Sequence, residues 1–409
     1  MMRIKSLLPW LMWILATVFF CYEFSLQVSL GVMADNLMHD FSVNATALGG
    51  LAALYFYAYT AMQIPGGVLI DYFGARRLLT SSVFICACGA ILFATTHSFI
   101  MAILGRLLIG LGSSTAYIGC AYIAATRLPI NRFTLLNGLV VTIGMLGAVS
   151  GQAPLAFLVA KLHWRLTMVL LAACGLVIAL LMWLIIRDKE HAGQGNSVIE
   201  KTEKNLLVGL KYVLRSRQTW LCGIYGGLMY TPTLIFGTLW GVPFITEKYK
   251  VSTPFAATLV SMLFFGWAIG SPLFGSLSDR LKRRKIFTIL SPIGGLIALS
   301  LVIYIPEIPY ILIGILIFCI GFLSSGFITS FTIAREVNPP FAVGATMGFM
   351  NGVNMLGGAI LSPIVGFILD VSKFNYELGL ALLPISLVIA LILSLLIKET
   401  YAKFKFEYD

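Results

Sequence analysis

Long hydrophobic runs alternate with short polar loops along the whole chain. Each run has roughly 20 apolar residues, which is enough for an α-helix to cross the ~30 Å hydrocarbon core of a bilayer. The pattern therefore predicts an all-α membrane protein. Its twelve predicted spans lie near residues 8–32, 46–69, 78–96, 99–125, 134–159, 165–186, 219–245, 254–276, 285–304, 309–333, 343–368 and 376–397.

The longest polar segment divides the spans into two groups of six. Residues 187–217 begin with RDKEHAGQGNSVIEKTEK, a composition typical of a flexible linker. They continue with NLLVGLKYVLRSR, in which apolar and basic residues recur at helical spacing, as in an amphipathic helix on a membrane surface. We expect an N-terminal six-helix bundle over 1–186, a cytoplasmic linker with an amphipathic helix over 187–217, and a C-terminal six-helix bundle over 218–409.

Composition agrees with a membrane protein. Of the 409 residues, 59% are hydrophobic and 11% are charged, which is too little polar surface for a soluble protein of this size. The formal net charge of +11 arises from Lys and Arg in short loops, a topology signal rather than a nucleic-acid-binding surface. All seven cysteines lie within apolar runs, so the sequence predicts neither a metal site nor a cofactor.

Lys and Arg also predict the orientation. They concentrate in both terminal segments and in the loops that follow even-numbered spans, which the positive-inside rule assigns to the cytoplasm. The first run continues past Glu23 without a cleavage-site pattern, so we interpret it as an uncleaved helix. We expect a monomeric, multi-pass protein of a bacterial inner (cytoplasmic) membrane with both termini in the cytoplasm.

The two halves carry matching motifs. Residues 67–77 and 275–285 both contain a glycine, an aspartate four residues later, and then a pair of basic residues, at an offset of 208. A longer match aligns 137–158 with 347–368 at an offset of 210. Two matches at nearly one offset indicate parallel repeats, related by an axis normal to the membrane.

With these features, the chain resembles the major facilitator superfamily over its whole length. That family carries a G-x-x-x-D-R-x-G-R-R/K loop between its second and third helices. The loop is represented here by Gly67, Asp71, Gly74, Arg76 and Arg77, with Tyr72 in place of the usual arginine. The second copy keeps Gly275, Asp279, Arg280, Arg284 and Lys285, with Lys282 in place of the glycine. The family's fourth-helix pattern R-x-x-x-G-x-G is present as Arg106, Gly110 and Gly112.

The resemblance implies two bundles that rock about a central site, and hence a secondary transporter rather than an enzyme. The segment FYAYTAMQIPGGVLIDYFGARRLL is also similar to nutrient importers of intracellular bacteria, which carry amino acids or nucleosides, and to lysosomal dipeptide transporters. The motif loops would form a conformational latch at the cytoplasmic side, through Asp71, Arg76, Arg77, Asp279 and Arg280. For the arginines, retention of the loop inside and contact with lipid phosphate is the alternative.

Two charged residues fall deep inside predicted spans, Glu23 in the first and Arg106 in the fourth. Counted along the helices, Glu23 lies ~22 Å from the inner edge of the core and Arg106 ~10 Å from the outer edge, so their levels nearly coincide. A charge at this depth costs roughly 3 kcal/mol or more and normally has a partner and a role. We expect a Glu23–Arg106 pair lining the cavity; a purely structural ion pair is the alternative.

The functional interpretation gives each charge a task. Arg106 would bind a substrate carboxylate, because a guanidinium grips a carboxylate at two points. Glu23 would exchange a proton or bind a substrate ammonium group. Further substrate-binding candidates, for each of which helix packing is the alternative, are Tyr22, Gln27, Tyr55, Tyr59, Tyr230, Asn351 and Asn354.

These observations predict a proton-coupled importer of a small zwitterionic or anionic nutrient, such as an amino acid, dipeptide or carboxylate. Its partners would be the small-molecule substrate, protons and the lipid bilayer. A drug/proton antiporter is the alternative. The fifth span has Gln152 where the antiporter signature has proline and lacks the closing Gly-Gly, which disfavours that alternative.

Overall fold

The computed structural model describes residues 2–129, 132–188, 208–401 and 403, and the regular elements in these residues are all helical. The helices of the N-terminal half are α1 (Met2–Phe41), α2 (Ala45–Ala61), α3 (Gln63–Thr95), α4 (Phe99–Ser113), α5 (Ala116–Arg127), α6 (Phe133–Ser150) and α7 (Ala153–Ile185). Residues 208–215 form α8. The C-terminal half contains α9 (Arg217–Thr231), a π-helical segment (Pro232–Trp240), α10 (Gly241–Tyr249), α11 (Thr253–Leu281), α12 (Lys285–Tyr304), α13 (Tyr310–Ser324), α14 (Ile328–Val337), α15 (Val343–Val371), α16 (Tyr376–Gly379) and α17 (Leu382–Leu396).

Ten helical stretches of the described residues are long and apolar enough to cross a membrane. One of them, Gly138–Ile185, bends at His163 and contains two crossings. Another crossing is made by α2 together with the first part of α3, up to a bend at Gly74. Counted in this way, the described part of the chain makes the twelve predicted crossings, and the predicted all-α membrane fold is confirmed.

The bend at Gly74 requires glycine for two reasons. Its φ of +79° lies in the left-handed region, which residues with a Cβ rarely adopt. A Cβ at this position would also lie 2.5 Å from the carboxyl carbon of Asp188, which follows the last helix of the N-terminal half. The turn between the second and third crossings is therefore set by one glycine and packed against the end of α7.

Small residues let the helices approach closely. A Cβ on Gly110 of α4 would lie 2.5 Å from the carbonyl oxygen of Tyr55 on α2. Gly147 of α6 and Gly321 of α13 pack in the same way, against the backbones of α1 and α11. Backbone approach at small residues is the common mode of helix packing in membranes, where burial of apolar surface does not drive association.

The molecule has two ends, because successive crossings run in opposite directions. We call the end that carries residues 188 and 208 the linker end and the opposite one the far end. Near the far end, Gln152 Nε2 donates a hydrogen bond of 2.6 Å to the carbonyl of Gly237 across the two halves. At mid-length Asn351 Nδ2 donates to Gln63 Oε1 at 2.8 Å, also across the halves. The bundles are thus joined from the middle of the molecule to its far end.

Candidate functional site

Glu23 and Arg106 are both buried, as predicted, with exposed fractions of 1% and 2%. Residues 22–34 of α1 are all buried, so this helix runs through the interior of the molecule. Arg106 lies on α4, which contacts α1. Two opposite charges therefore share the interior of the N-terminal half.

The two charges are connected through Tyr55 of α2. The Tyr55 hydroxyl donates a hydrogen bond of 2.6 Å to Glu23 Oε2. The central guanidinium carbon of Arg106 lies 4.8 Å from the centroid of the Tyr55 ring, within the range of a cation–π interaction. One fully buried tyrosine thus contacts both charged residues. We refer to Glu23, Tyr55 and Arg106 as the buried triad.

The expected direct pairing of Glu23 with Arg106 is not present. Within the described residues, no ion pair joins these two side chains. Arg106 instead turns toward the backbone of α1, donating from Nη1 to Leu26 O at 2.9 Å and from Nη2 to Gln27 O at 3.0 Å. Its Nε–H has no hydrogen-bond partner in the structure. The guanidinium therefore binds the backbone of α1, and its Nε–H stays an unpaired buried donor.

Tyr55, Tyr59 and Gln63 follow one another at four-residue spacing along the second crossing. Tyr59 stacks on Tyr55, with ring centroids 6.0 Å apart and an interplanar angle of 27°. One turn further, Gln63 accepts the hydrogen bond from Asn351 of the other half. These side chains form a continuous polar and aromatic path from the triad to the boundary between the bundles.

Tyr230 belongs to an aromatic cluster of the C-terminal half. It stacks on Phe327 with centroids 5.4 Å apart, and it meets Trp267 edge to face at 5.2 Å. Trp267 is itself fixed, because its Nε1 donates a 2.7 Å hydrogen bond to Thr233 Oγ1. This cluster gives the C-terminal half a rigid aromatic surface.

Three other predicted substrate-binding residues, Tyr22, Gln27 and Asn354, belong neither to the triad nor to the aromatic cluster. The Tyr22 hydroxyl packs against Gly175 of α7, where a Cβ would lie 2.5 Å from it, so this side chain lies within the N-terminal half. Gln27 contributes its backbone carbonyl to Arg106. Asn354 is 1% exposed, and neither amide atom has a hydrogen-bond partner in the structure, although Gly226 lies beside it.

A cavity of about 430 Å³ lies where the two halves meet, between the second crossing, α9 and α15. Thr60 and Gln63 line it from the N-terminal half, and Gly227 and Gly352 from the other half. The triad does not line this cavity, whereas Gln63, one turn beyond Tyr59 on the second crossing, does. Among the described residues, no group of three or more His, Cys, Asp or Glu side chains could hold a metal ion.

In the motif loop of the C-terminal half, residues 275–285, two acids that the sequence did not single out, Glu336 and Glu399, bind the motif residues. Arg284 Nη1 donates to Asp279 at 2.6 Å, and Arg284 Nη2 donates to the buried Glu336 at 3.0 Å. Glu399 accepts from the backbone N–H groups of Arg284 and Lys285, at 2.9 and 2.8 Å. Of the expected latch residues, Asp279 has Arg284 of its own motif loop as its partner here.

The motif loop of the N-terminal half, residues 67–77, repeats this arrangement. Asp188 accepts from the backbone N–H of Arg76 at 3.0 Å, as Glu399 does from that of Arg284. Arg76 Nε donates to the carbonyl of Trp183, and Lys285 Nζ donates to that of Leu395. A carboxylate just after the last helix of each half thus fixes its motif loop. An acid immediately after the sixth and twelfth spans was the sequence signal that could have revealed it.

The chain matches the family model of the Major Facilitator Superfamily over residues 15–360 and 228–407. It is 23% identical over 370 residues to the uncharacterized transporter YybO of Bacillus subtilis (strain 168), covering 85% of this chain and 84% of that protein. It is 25% identical over 402 residues to the lysosomal dipeptide transporter MFSD1 of Mus musculus, covering 92% and 81%. It is 22% identical over 385 residues to the probable galactarate/D-glucarate transporter GudP of Bacillus subtilis (strain 168), covering 85% and 83%.

Solved structures show the same fold. The nucleoside transporter NupG matches with a TM-score of 0.76 at 14% identity, over 95% of this chain and 99% of that one. A bacterial homolog of the human lysosomal transporter Spinster, in an inward-facing and unoccupied conformation, matches with a TM-score of 0.72 at 15% identity, over 95% and 97%. Because the family model covers most of the sequence and confirms the predicted resemblance, the chain belongs to the Major Facilitator Superfamily and is a multi-pass membrane transporter rather than an enzyme.

Proposed function

We propose that the protein imports a small carboxylate-bearing solute together with protons. The observation that carries this proposal is the buried triad, in which an acid and an arginine lie inside the bundle without forming a direct ion pair. Buried charges are costly and are retained where they serve transport. Arg106 binds the carboxylate of the solute, and Glu23 takes up and releases the proton.

The names of two relatives support a solute that carries a carboxylate. One is called a dipeptide transporter and another a galactarate/D-glucarate transporter, and all of these solutes are carboxylates. The Nε–H of Arg106 is an unpaired buried donor, which favours an acceptor that arrives with the solute. When the guanidinium leaves Leu26 and Gln27, their carbonyls keep the hydrogen bonds of the continuous helix α1.

The structure supports a state in which the far end is closed. With both termini in the cytoplasm of a bacterial cell, this is the state in which solute leaves to the inside. The latch formed by Asp71, Arg76, Arg77, Asp279 and Arg280 would then close in the opposite state. Consistent with this, the hydrogen bonds of Arg76 stay within the N-terminal half.

The test is solute uptake into proteoliposomes that contain the purified protein. Radiolabelled L-alanyl-L-alanine, L-alanine and D-glucarate are supplied with and without an inward proton gradient. We expect gradient-stimulated uptake of at least one of them, lost in Arg106→Lys and kept in the exposed control Arg215→Lys. Proton-driven export of an amphipathic cation, with none of the three acids taken up, would support a drug/proton antiporter instead.

A further inference from the structure

We propose that Tyr55 is a positioning residue that makes the hold of Arg106 on a substrate carboxylate depend on whether Glu23 carries a proton. This inference rests on the proposed function and adds the residue that couples its two parts. The geometry assigns this task because one side chain touches both charges, through its hydroxyl at 2.6 Å and its ring face at 4.8 Å.

Tyr55 is held in place from several sides. Its ring is fully buried, stacked on Tyr59 and met edge to face by Phe56 at 5.4 Å. Its backbone carbonyl packs against Gly110, on the same helix as Arg106. A change in the hydrogen bond to Glu23 therefore acts on a ring that has little freedom to move away from Arg106.

The ionised state of Glu23 favours the arrangement that the structure shows. A hydrogen bond to a carboxylate is stronger than one to a neutral group, and it draws the phenol proton toward Glu23. The ring then carries more negative charge on its face, which strengthens its attraction for the guanidinium of Arg106. Arg106 stays on Tyr55 and on the carbonyls of α1.

Protonation of Glu23 weakens this hold. The neutral carboxyl is a poorer acceptor, so the polarisation of Tyr55 falls and the attraction of a nearby negative charge for Arg106 disappears. The guanidinium can then exchange its contacts for a two-point contact with the solute carboxylate. The proton binds first, and the solute anion binds more tightly because of it.

The other titratable groups around Glu23 leave it as the switch. These groups lie on α1 to α5 and on α9. Besides Glu23, whose protonation state is the variable, only Arg106 among these groups is charged at neutral pH, because thiols and phenols are neutral there. The neutral groups are Cys21, Tyr59, Cys86, Cys120 and Tyr230.

The test is the affinity of purified protein for L-alanyl-L-alanine and D-glucarate, measured by calorimetry from pH 5.5 to 8. In the wild type we expect affinity to rise about tenfold toward low pH, as for typical couplings between two sites. Tyr55→Phe keeps the ring beneath Arg106 and should still bind at low pH, but with most of the pH dependence lost. Tyr55→Leu should lose affinity at every pH. Tyr57→Phe, whose side chain is 44% exposed on the same helix, should match the wild type.

The outcomes separate the two proposals. If the wild type shows the pH dependence and Tyr55→Phe keeps it in full, the coupling role is overturned and the proposed function stands. If the wild type binds neither acid at any pH, the proposed function fails and the coupling role with it. Should Tyr55→Phe not fold, Glu23→Gln leaves the same hydroxyl with a neutral amide acceptor that takes up no proton, and its affinity should be independent of pH; an unchanged pH dependence would overturn the coupling role.

Discussion

The carboxylate of Asp370, at the end of α15, accepts hydrogen bonds from both the backbone N–H and the hydroxyl of Thr46 on α2. It also accepts from the backbone N–H of Ala45 at 2.9 Å. These bonds cross between the two halves and place a negative charge at the N-terminus of a helix, where such a charge is stabilised. Asp370 therefore connects the two halves at the far end.

Replacing Asp370 by asparagine should loosen this end. The side chain remains an acceptor but loses its charge, which costs about 1 kcal/mol at a helix N-terminus and shifts the balance of the two states about fivefold. Spin labels at the exposed loop positions His97 and Glu307 report the far-end separation, and we expect a larger population at long distance. The exposed Glu377→Gln should leave the distribution unchanged. A distance distribution in Asp370→Asn identical to that of the wild type would contradict the role of Asp370 in closing the far end.

Arg284 should matter for stability because it neutralises a buried acid. Its side chain is 5% exposed and that of Glu336 is 4% exposed. Removal of one partner leaves an unpaired charge in the interior, at a cost of about 3 kcal/mol or more. We expect Arg284→Ala to lower the midpoint of thermal unfolding in detergent well below that of Arg283→Ala, where the arginine is exposed. Equal midpoints in the two variants would contradict this.

Glu399 should make the linker end sensitive to acid. Burial acts to raise the pKa of this carboxyl, but hydrogen bonds from backbone N–H groups, including those of Arg284 and Lys285, lower the pKa below its usual value. A carboxyl with a lowered folded-state pKa stabilises the protein above its unfolded pKa of about 4.3, and this contribution is lost as the pH falls through the folded pKa.

Thermal unfolding between pH 6 and pH 3.5 checks the sign of this effect. The wild type should lose stability more steeply than Glu399→Gln once the pH drops below about 4.5, because the variant has no proton to take up at this site. At pH 6 the wild type should be the more stable of the two. A variant that loses stability with acid as steeply as the wild type would show that Glu399 does not contribute.

The glycines of the motif loops should respond differently to alanine. At Gly74 a Cβ meets the Asp188 carboxyl at 2.5 Å and the backbone has a positive φ, whereas at Gly275 it meets nothing within 4 Å. We expect Gly74→Ala to lower stability by about 1 to 3 kcal/mol, the usual cost of a strained backbone, and Gly275→Ala to be close to neutral. Thermal unfolding of the two variants measures this, and comparable losses would contradict the assigned turn geometry.

Much of the fold could be predicted because the membrane imposes helix length and polarity. The twelve crossings and the burial of Glu23 and Arg106 follow from hydropathy and from depth counted along straight helices. The direct Glu23–Arg106 pair that we expected is absent, and the contact of both residues with Tyr55 was not predicted, since it depends on how each helix is rotated about its axis. Tyr55 was expected to contact the solute, and its position against both charges came only from three-dimensional packing.

The motif loops show the same limit. Repeated spacing identified both loops, and Asp71, Arg76, Arg77, Asp279 and Arg280 in them were expected to form a latch at the cytoplasmic side. The partners found, Glu336, Glu399 and Asp188, lie far away in sequence and become neighbours only when the ends of several helices converge. Spacing within one segment carries no information about such partners.

Proton movement driven by the solute tests the central claim most directly. Proteoliposomes at neutral pH in weak buffer receive the acid that the wild type transports, and the external pH is recorded together with solute uptake. We predict that the wild type makes the medium more alkaline, and that Glu23→Gln still exchanges labelled for unlabelled solute but moves no protons. Proton uptake by Glu23→Gln at the wild-type ratio to solute would contradict the account.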